Sequence, residues 1–452
     1  MNSLLDTFGP AALALVAALA VFGTAFLFKT KPIYLLVLHI TSRIILDSAP
    51  EYTYANLVGG LSLMQFYSVG FAATGWLYLF LRGRMTWHSY SAPLAALVVA
   101  YAVSATIHSA WLEFATSALR WFYLWVLIAL TLYAMSEDGE RSLMFGISVA
   151  GLYAFANQMY SVATDSPKWG AGMWTYVGTF KHESDLCFIL VMLTPPAFYF
   201  LSCSRNIKDK LVGIACLGAT CVGLYYGAYR SVWIAFAAYV GLYLWNRYLR
   251  GNMTSRAIWT SVTLAGAVGI GVTVGPAILS KTHDLIAFVS NPQEYLDFSG
   301  NAEKVGLMSG RVDLINSYMS LYLNSGVHVF FGGIGPGEGS TEVGIYAHNE
   351  YLSALVETGL IGLIALLWLM LRYISRASAL SHHDAIGAQV AAPFFIVMCV
   401  SSLGTMPFRD MRAMLAMGLM MGITEWYANE RSRSEQPRYS SLNTENKVTF
   451  LS

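Results

Sequence analysis

Apolar runs recur along almost the whole of this chain. They fall at 10–28, 63–81, 91–107, 117–135, 143–160, 184–202, 211–228, 231–247, 258–279, 351–371, 386–405 and 412–427. A helix needs about 20 mostly apolar residues to cross the hydrocarbon core of a bilayer, so each run is read as a membrane span. The stretch 32–46 is shorter and carries Arg43. It is read either as a tilted thirteenth span or as a re-entrant piece. Composition agrees: 56% of residues are hydrophobic and 12% charged, where a soluble protein carries about a quarter charged. The expected fold class is an all-α polytopic membrane protein with 12 or 13 transmembrane helices.

Charge and cysteine content remove other classes. A net charge of +1 leaves no electrostatic footprint for nucleic acid. The five cysteines, Cys187, Cys203, Cys216, Cys221 and Cys399, sit in or beside apolar runs without CxxC spacing, so neither a disulfide framework nor a zinc site is suggested. The first run follows MNSLLDTFGP, which lacks a basic leader and a small-residue cleavage site, and reads as a span rather than a signal peptide.

Lysine and arginine set the orientation. With thirteen spans the basic connectors at Lys29 and Lys31, Arg82 and Arg84, Arg141, Arg205 to Lys210, Arg247 to Arg256, Arg372 and Arg376, and the tail from Arg431 all fall on one side. That side holds 17 basic and 9 acidic residues, the other 10 and 17. The first is therefore expected to be cytoplasmic. The chain divides into membrane helices over 1–279, a large outer loop of short helices over 280–350, further membrane helices over 351–428, and a polar, disordered cytoplasmic tail over 429–452. The smaller outer loop 161–183 carries Trp169 and Trp174, read as interfacial anchors.

Basic residues on the acidic outer face fall in suggestive places. Arg43 and Arg120 lie within the outer halves of their helices, Arg230 opens a helix, Arg311 follows SG in the large loop, and Arg409 and Arg412 flank the last span. One such arginine is ordinarily a snorkelling side chain or the partner of an acid such as Asp47, Asp313 or Asp410. Several on one face point to an anionic ligand, because guanidinium matches phosphate oxygens bidentately. The end of the large loop, FGGIGPGEGSTEVGIYAHNEYL, is the strongest local signal. Gly335 and Gly337 belong to a run that permits close backbone approach to a ligand, yet GK[ST] is missing, so this is not a nucleotide P-loop. His348, Asn349 and Glu350 follow where the next span starts. A histidine there stays neutral against the helix dipole and can take a proton from a hydroxyl; the bland alternative is an interfacial side chain.

The order GTF at 178–180, Arg230-Ser231, SGR at 309–311, GxGxG at 333–337 and HNEYL…ETGxIG at 348–362 resembles the O-antigen ligase and O-antigen polymerase superfamily of bacterial envelope glycosyltransferases. KHESD at 181–185 departs from that pattern, where an asparagine-rich segment is expected.

The resemblance implies a metal-independent, cofactor-free transferase of the inner membrane with its active site toward the periplasm. Its donor would be an undecaprenyl-diphosphate-linked glycan. The acceptor would be a second lipid-linked glycan in a polymerase of exopolysaccharide or O-antigen, or lipid A-core in a ligase. A polymerase would also have a chain-length regulator as partner. On this reading Arg230 and Arg311, with Arg120, neutralise the leaving diphosphate. His348 acts on the acceptor hydroxyl, and Glu350 or Glu338 stands next in line. Arg43, Gly335, Gly337, Asn349 and Glu350 complete the binding site. A transporter of lipid-linked glycans is the rival from another class. It would be expected to show repeated halves and ionisable groups near the midplane, whereas the charges here gather toward one face.

Overall fold

The computed structural model describes residues 31–58, 61–170, 173–203, 206–227, 229–245, 290, 311–380, 386–403 and 405–435. The spans expected at 10–28 and 258–279, most of 280–310 and the tail beyond 435 lie outside these residues. So do the side chains of Arg230 and Arg311.

In hydrocarbon every backbone N–H and C=O must find a partner within its own segment, which leaves the helix as the spanning form for such runs. The described helices are α1 (Pro32–Asp47), α2 (Pro50–Thr53), α3 (Leu63–Leu81), α4 (Ser91–His108), α5 (Trp111–Asp138), α6 (Glu140–Ala163), α7 (Glu183–Val191), α8 (Thr194–Cys203), α9 (Ile207–Gly227) and α10 (Arg230–Leu244). After the undescribed stretch come α11 (Arg311–Asn324), α12 (Val327–Gly332), α13 (Glu338–Val343), α14 (Glu350–Leu380), α15 (Ile386–Ser401) and α16 (Met411–Glu435). Among the described residues four segments are long and apolar enough to cross a membrane on those grounds alone: α4, α5, α14 and the combined α7–α8 stretch Glu183–Cys203. The helices α11 to α13 lie within 280–350.

Ion pairs fix the directions of the helices. At one end of the bundle Lys31 meets Asp138 at 2.9 Å, Arg84 meets Glu137 at 3.2 Å, and Arg141 meets Asp209 at 2.8 Å. These pairs gather the start of α1 and the ends of α3 and α5 with the starts of α6 and α9. At the other end Arg412 joins Asp47 and Asp185, tying the end of α1 to the starts of α7 and α16. The segment 32–46 is therefore a helix that joins the two polar ends, not a re-entrant piece.

The helices approach closely through small residues, as association in lipid requires. Gly418 and Gly422 of α16 form a GxxxG stripe against α5, where an added Cβ would come within 2.8 Å of Leu127 and 2.5 Å of Thr131. Gly75 of α3 meets Val126 and Leu130 in the same way. Between α1, α3 and α5 the buried ring of His39 bonds the hydroxyls of Tyr67 (2.9 Å) and Tyr123 (2.7 Å) and stacks on Phe71. That is a satisfied core histidine. Large apolar side chains such as Val99, Leu112 and Ile364 point outward, as on a lipid-facing surface.

Among the described residues two small hairpins break the all-helical pattern, β1 (Asn56–Val58) with β2 (Leu61–Ser62) and β3 (Lys168–Gly170) with β4 (Met173–Thr175). Ser62 also opens α3 through a reciprocal capping box with Gln65. In the second hairpin Trp169 pairs with Trp174, and both rings are 64% exposed.

Candidate active site

The glycine run that stands out in the sequence is held by a break in a helix. Inside α14, Gly359 adopts φ 66° and ψ −166°, outside helical geometry. The break releases the carbonyls of Val356 and Glu357. Ile334 N–H donates to the first at 2.8 Å, Gly335 N–H to the second at 3.3 Å, and the Ser104 hydroxyl reaches the second at 2.6 Å. Gly333, at φ 75°, lies so close that a Cβ there would overlap the Glu357 backbone. A non-glycine residue would meet both the left-handed penalty and a backbone clash. His108, the last residue of α4, bonds the Gly333 carbonyl at 2.8 Å.

The centre of this arrangement is Glu357, 1% exposed. One carboxylate oxygen pairs with Arg409 and accepts from the Ser353 hydroxyl at 3.1 Å. The other accepts from Gly337 N–H at 3.1 Å. One buried carboxylate thus joins α14, the glycine loop and the segment before α16. Arg409 also lies over the ring of Tyr346, 5.9 Å from its centre. Glu357 is not among the site residues expected from sequence, although it is the first residue of the quoted ETGxIG block, and Arg409 stands out there only as one of several outer-face arginines, with no role of its own.

Asn349 is the N-cap of α14. Its side-chain oxygen accepts from Leu352 N–H at 3.0 Å, and its amide donates to the Leu403 carbonyl at 3.1 Å. Glu350 is buried and accepts from Phe408 N–H at 3.0 Å. Both tie the start of α14 to the loop between α15 and α16. His348 precedes them with φ 49°, an uncommon conformation for a non-glycine residue, and its side chain is exposed. Gly335 (φ 121°) and Gly337 (φ 81°) lie in the same loop. Glu338 opens α13.

The arginines divide into two kinds. Arg43 is 2% exposed and fully engaged: Asp47 accepts from Nε at 3.0 Å, Ser68 from Nη1 at 2.8 Å, and Tyr54 from Nη2 at 3.4 Å. Arg412 pairs with Asp185, with Asp47 at 3.6 Å and with Asp410 at 3.5 Å. Asp410, in the loop before α16, is pushed up to about 6 by burial, opposed by the Arg412 backbone N–H bonded to it. His182, at the start of α7, is lowered by burial and then by the charge of Lys181. Arg120 differs. Its guanidinium donates to Thr116 O (3.4 Å) and Ser117 Oγ (3.0 Å) of its own helix and has no ion pair among the described residues. It stands within electrostatic range of Arg409, Tyr101, Glu357 and Glu350.

The structure therefore brings Arg120, Gly335, Gly337, His348, Asn349 and Glu350 to one end of the bundle. Arg43 lies at the same end inside its ion-paired network. Arg230 and Arg311 are placed only by their backbones, as the first residues of α10 and α11.

Against known families, residues 214–367 match the model described as O-antigen ligase. No curated protein matches the chain. The matched segment contains Arg230, Arg311, the glycine loop, His348 and Glu357. Arg43, Arg120, Arg409 and Arg412 lie outside it and come to the same end of the molecule through folding.

Proposed function

We propose that this chain, whose residues 214–367 match the O-antigen ligase model, is a membrane glycosyl-transferring protein of the O-antigen ligase and polymerase superfamily that polymerises lipid-linked oligosaccharide repeat units on the periplasmic face of the inner membrane. The donor is a glycan on undecaprenyl diphosphate and the acceptor is the terminal hydroxyl of a second lipid-linked glycan. The acceptor oxygen bonds to the anomeric carbon while the bond from that carbon to the diphosphate oxygen breaks. The hydroxyl proton passes to His348, and undecaprenyl diphosphate leaves with the bonding pair.

The observation that supports this reading is the guanidinium of Arg120, which has no ion pair among the described residues and lies within electrostatic range of Arg409, at the end that carries the glycine loop and His348. An arginine in an apolar helix is costly and ordinarily has a partner. A diphosphate would provide one. Arg120, with Arg230 and Arg311, would stabilise the negative charge that develops on the leaving group, the role a divalent metal plays in other transferases. Gly335 and Gly337 let the donor approach the backbone, while Asn349 and Glu350 hold the start of α14. Arg43 acts through Asp47, which it shares with Arg412.

The description of the matched family favours a second reading, transfer to lipid A-core. One experiment separates them. Purified protein is incubated with a synthetic undecaprenyl-diphosphate oligosaccharide, with and without lipid A-core, in the presence of EDTA. Lengthened lipid-linked chains without lipid A-core establish the polymerase, and product only with lipid A-core establishes the ligase. Donor recovered unchanged under both conditions overturns the assignment to glycosyl transfer.

A further inference from the structure

A cavity of about 720 Å³ opens at the end of the bundle opposite the glycine loop, lined by Arg84, Trp87, Trp368, Arg372, Arg376 and Trp426. We propose that it binds the phosphate headgroup of an anionic phospholipid from the leaflet at that end. This proposal is independent of the transferase chemistry.

The charge arrangement carries the argument. Arg372 and Arg376 stand four residues apart on α14 and both line the cavity. Like charges at this spacing repel. Glu425 offsets this only partly: its carboxylate already accepts both the Ser89 N–H (3.3 Å) and the Ser89 hydroxyl (2.8 Å). Arg376 pairs with it through Nε at 3.8 Å, too far for a hydrogen bond, so that buried Nε is left without one. Arg372 has no ion pair among the described residues. Arg84, by contrast, is occupied by Glu137 and lies over the Tyr133 ring, 5.0 Å from its centre. The cavity lining therefore holds one guanidinium without a described ion pair, Arg372, and a second, Arg376, paired only through Nε, and phosphate is the anion that best fits two such forks.

The walls indicate that this phosphate is carried on a lipid. Trp87 and Trp368 are exposed, as is Leu371 beside Arg372, so the cavity continues onto an apolar outer surface. Tryptophan marks the headgroup level of a bilayer, and basic pockets between transmembrane helices hold anionic headgroups. Glu430, a second acid on the lining, is exposed. The volume falls within the range of about 300–1,000 Å³ usual for small-ligand sites.

The test uses full-length protein in nanodiscs containing equal phosphatidylglycerol and phosphatidylcholine, with the lipids that remain bound after detergent extraction counted by native mass spectrometry. Wild type should retain phosphatidylglycerol selectively. Arg372→Gln and Arg376→Gln should each reduce retention about tenfold, the size expected for loss of one charge-assisted contact. Arg372→Gln breaks no described ion pair, and Arg141→Gln, at the same end but outside the cavity, should retain the lipid. Equal retention of the two lipids, or unchanged retention in both cavity variants, overturns the proposal. Displacement of the lipid by millimolar inorganic phosphate also overturns it, in favour of a soluble anion.

Discussion

At the scale of single residues, the arginines at the glycine-loop end whose side chains are described separate into those that hold the structure and one, Arg120, with no ion pair among the described residues. Removing one member of a buried ion pair costs about 3–5 kcal/mol, because the other charge is left unpaired. Arg409→Gln, which strands Glu357, should therefore lower the thermal midpoint sharply. Arg120→Gln removes a charge that has no described acid partner. It should leave the midpoint unchanged or raise it while abolishing glycan transfer, and full transfer by that variant would remove Arg120 from the donor site. Asp410 supplies a pH dependence. Its folded value near 6 lies above the ordinary 3.8, so the folded state holds the proton more tightly than the unfolded chain. The stability this contributes is complete below the unfolded value and is lost as pH rises through about 6. Asp410→Asn keeps a cap for α16 without that loss. In detergent, the variant's stability relative to wild type should increase between pH 5 and pH 8, and parallel midpoints across that range would contradict the assignment.

At the scale of elements, the broken helix α14 is the device that positions the site. Gly333 and Gly344 test it as a pair, since both have positive φ but only Gly333 abuts another backbone. Gly344→Ala should cost about 1–2 kcal/mol, the left-handed penalty alone. Gly333→Ala should cost more and lose transfer activity, because the loop can no longer seat on the carbonyls freed at Gly359. Equal melting shifts in the two variants would show that the seat does not matter.

The same helix shows what could be read in advance. Spans are legible because lipid demands long apolar runs, and the ETGxIG block is visible as a motif. Neither reveals that Gly359 breaks the helix, because glycine is also tolerated inside membrane helices whose neighbours satisfy the backbone. Nor could sequence pair Glu357 with Arg409 across two turns of the chain through the bundle. Segment 32–46 is ambiguous as a sequence because it contains Arg43. It forms a helix because Asp47, one turn later, with Ser68 and Tyr54 takes up that charge. Only the Asp47 part of that solution is local enough to read.

At the scale of the whole molecule, ion pairs and helix directions give two polar ends, with the glycine loop at one and the basic connectors at the other. On the proposed topology, which rests on the lysine and arginine asymmetry, the second faces the cytoplasm. In a cysteine-free background, Glu342→Cys should react with an impermeant thiol reagent on cells with a permeabilised outer membrane, while a cysteine at 440 should not. The reverse pattern would invert the topology. The central claim is that glycosyl transfer takes place at the glycine-loop end, with His348 acting on the acceptor hydroxyl. The most direct measurement is turnover of a defined lipid-linked donor by purified wild type, His348→Ala and His348→Gln. An acid–base contribution is typically about 10²–10⁴-fold, so His348→Ala should fall by that factor. His348→Gln should fall equally if the ring takes the proton, and less if it only orients the hydroxyl. Wild-type turnover in both variants would contradict the account.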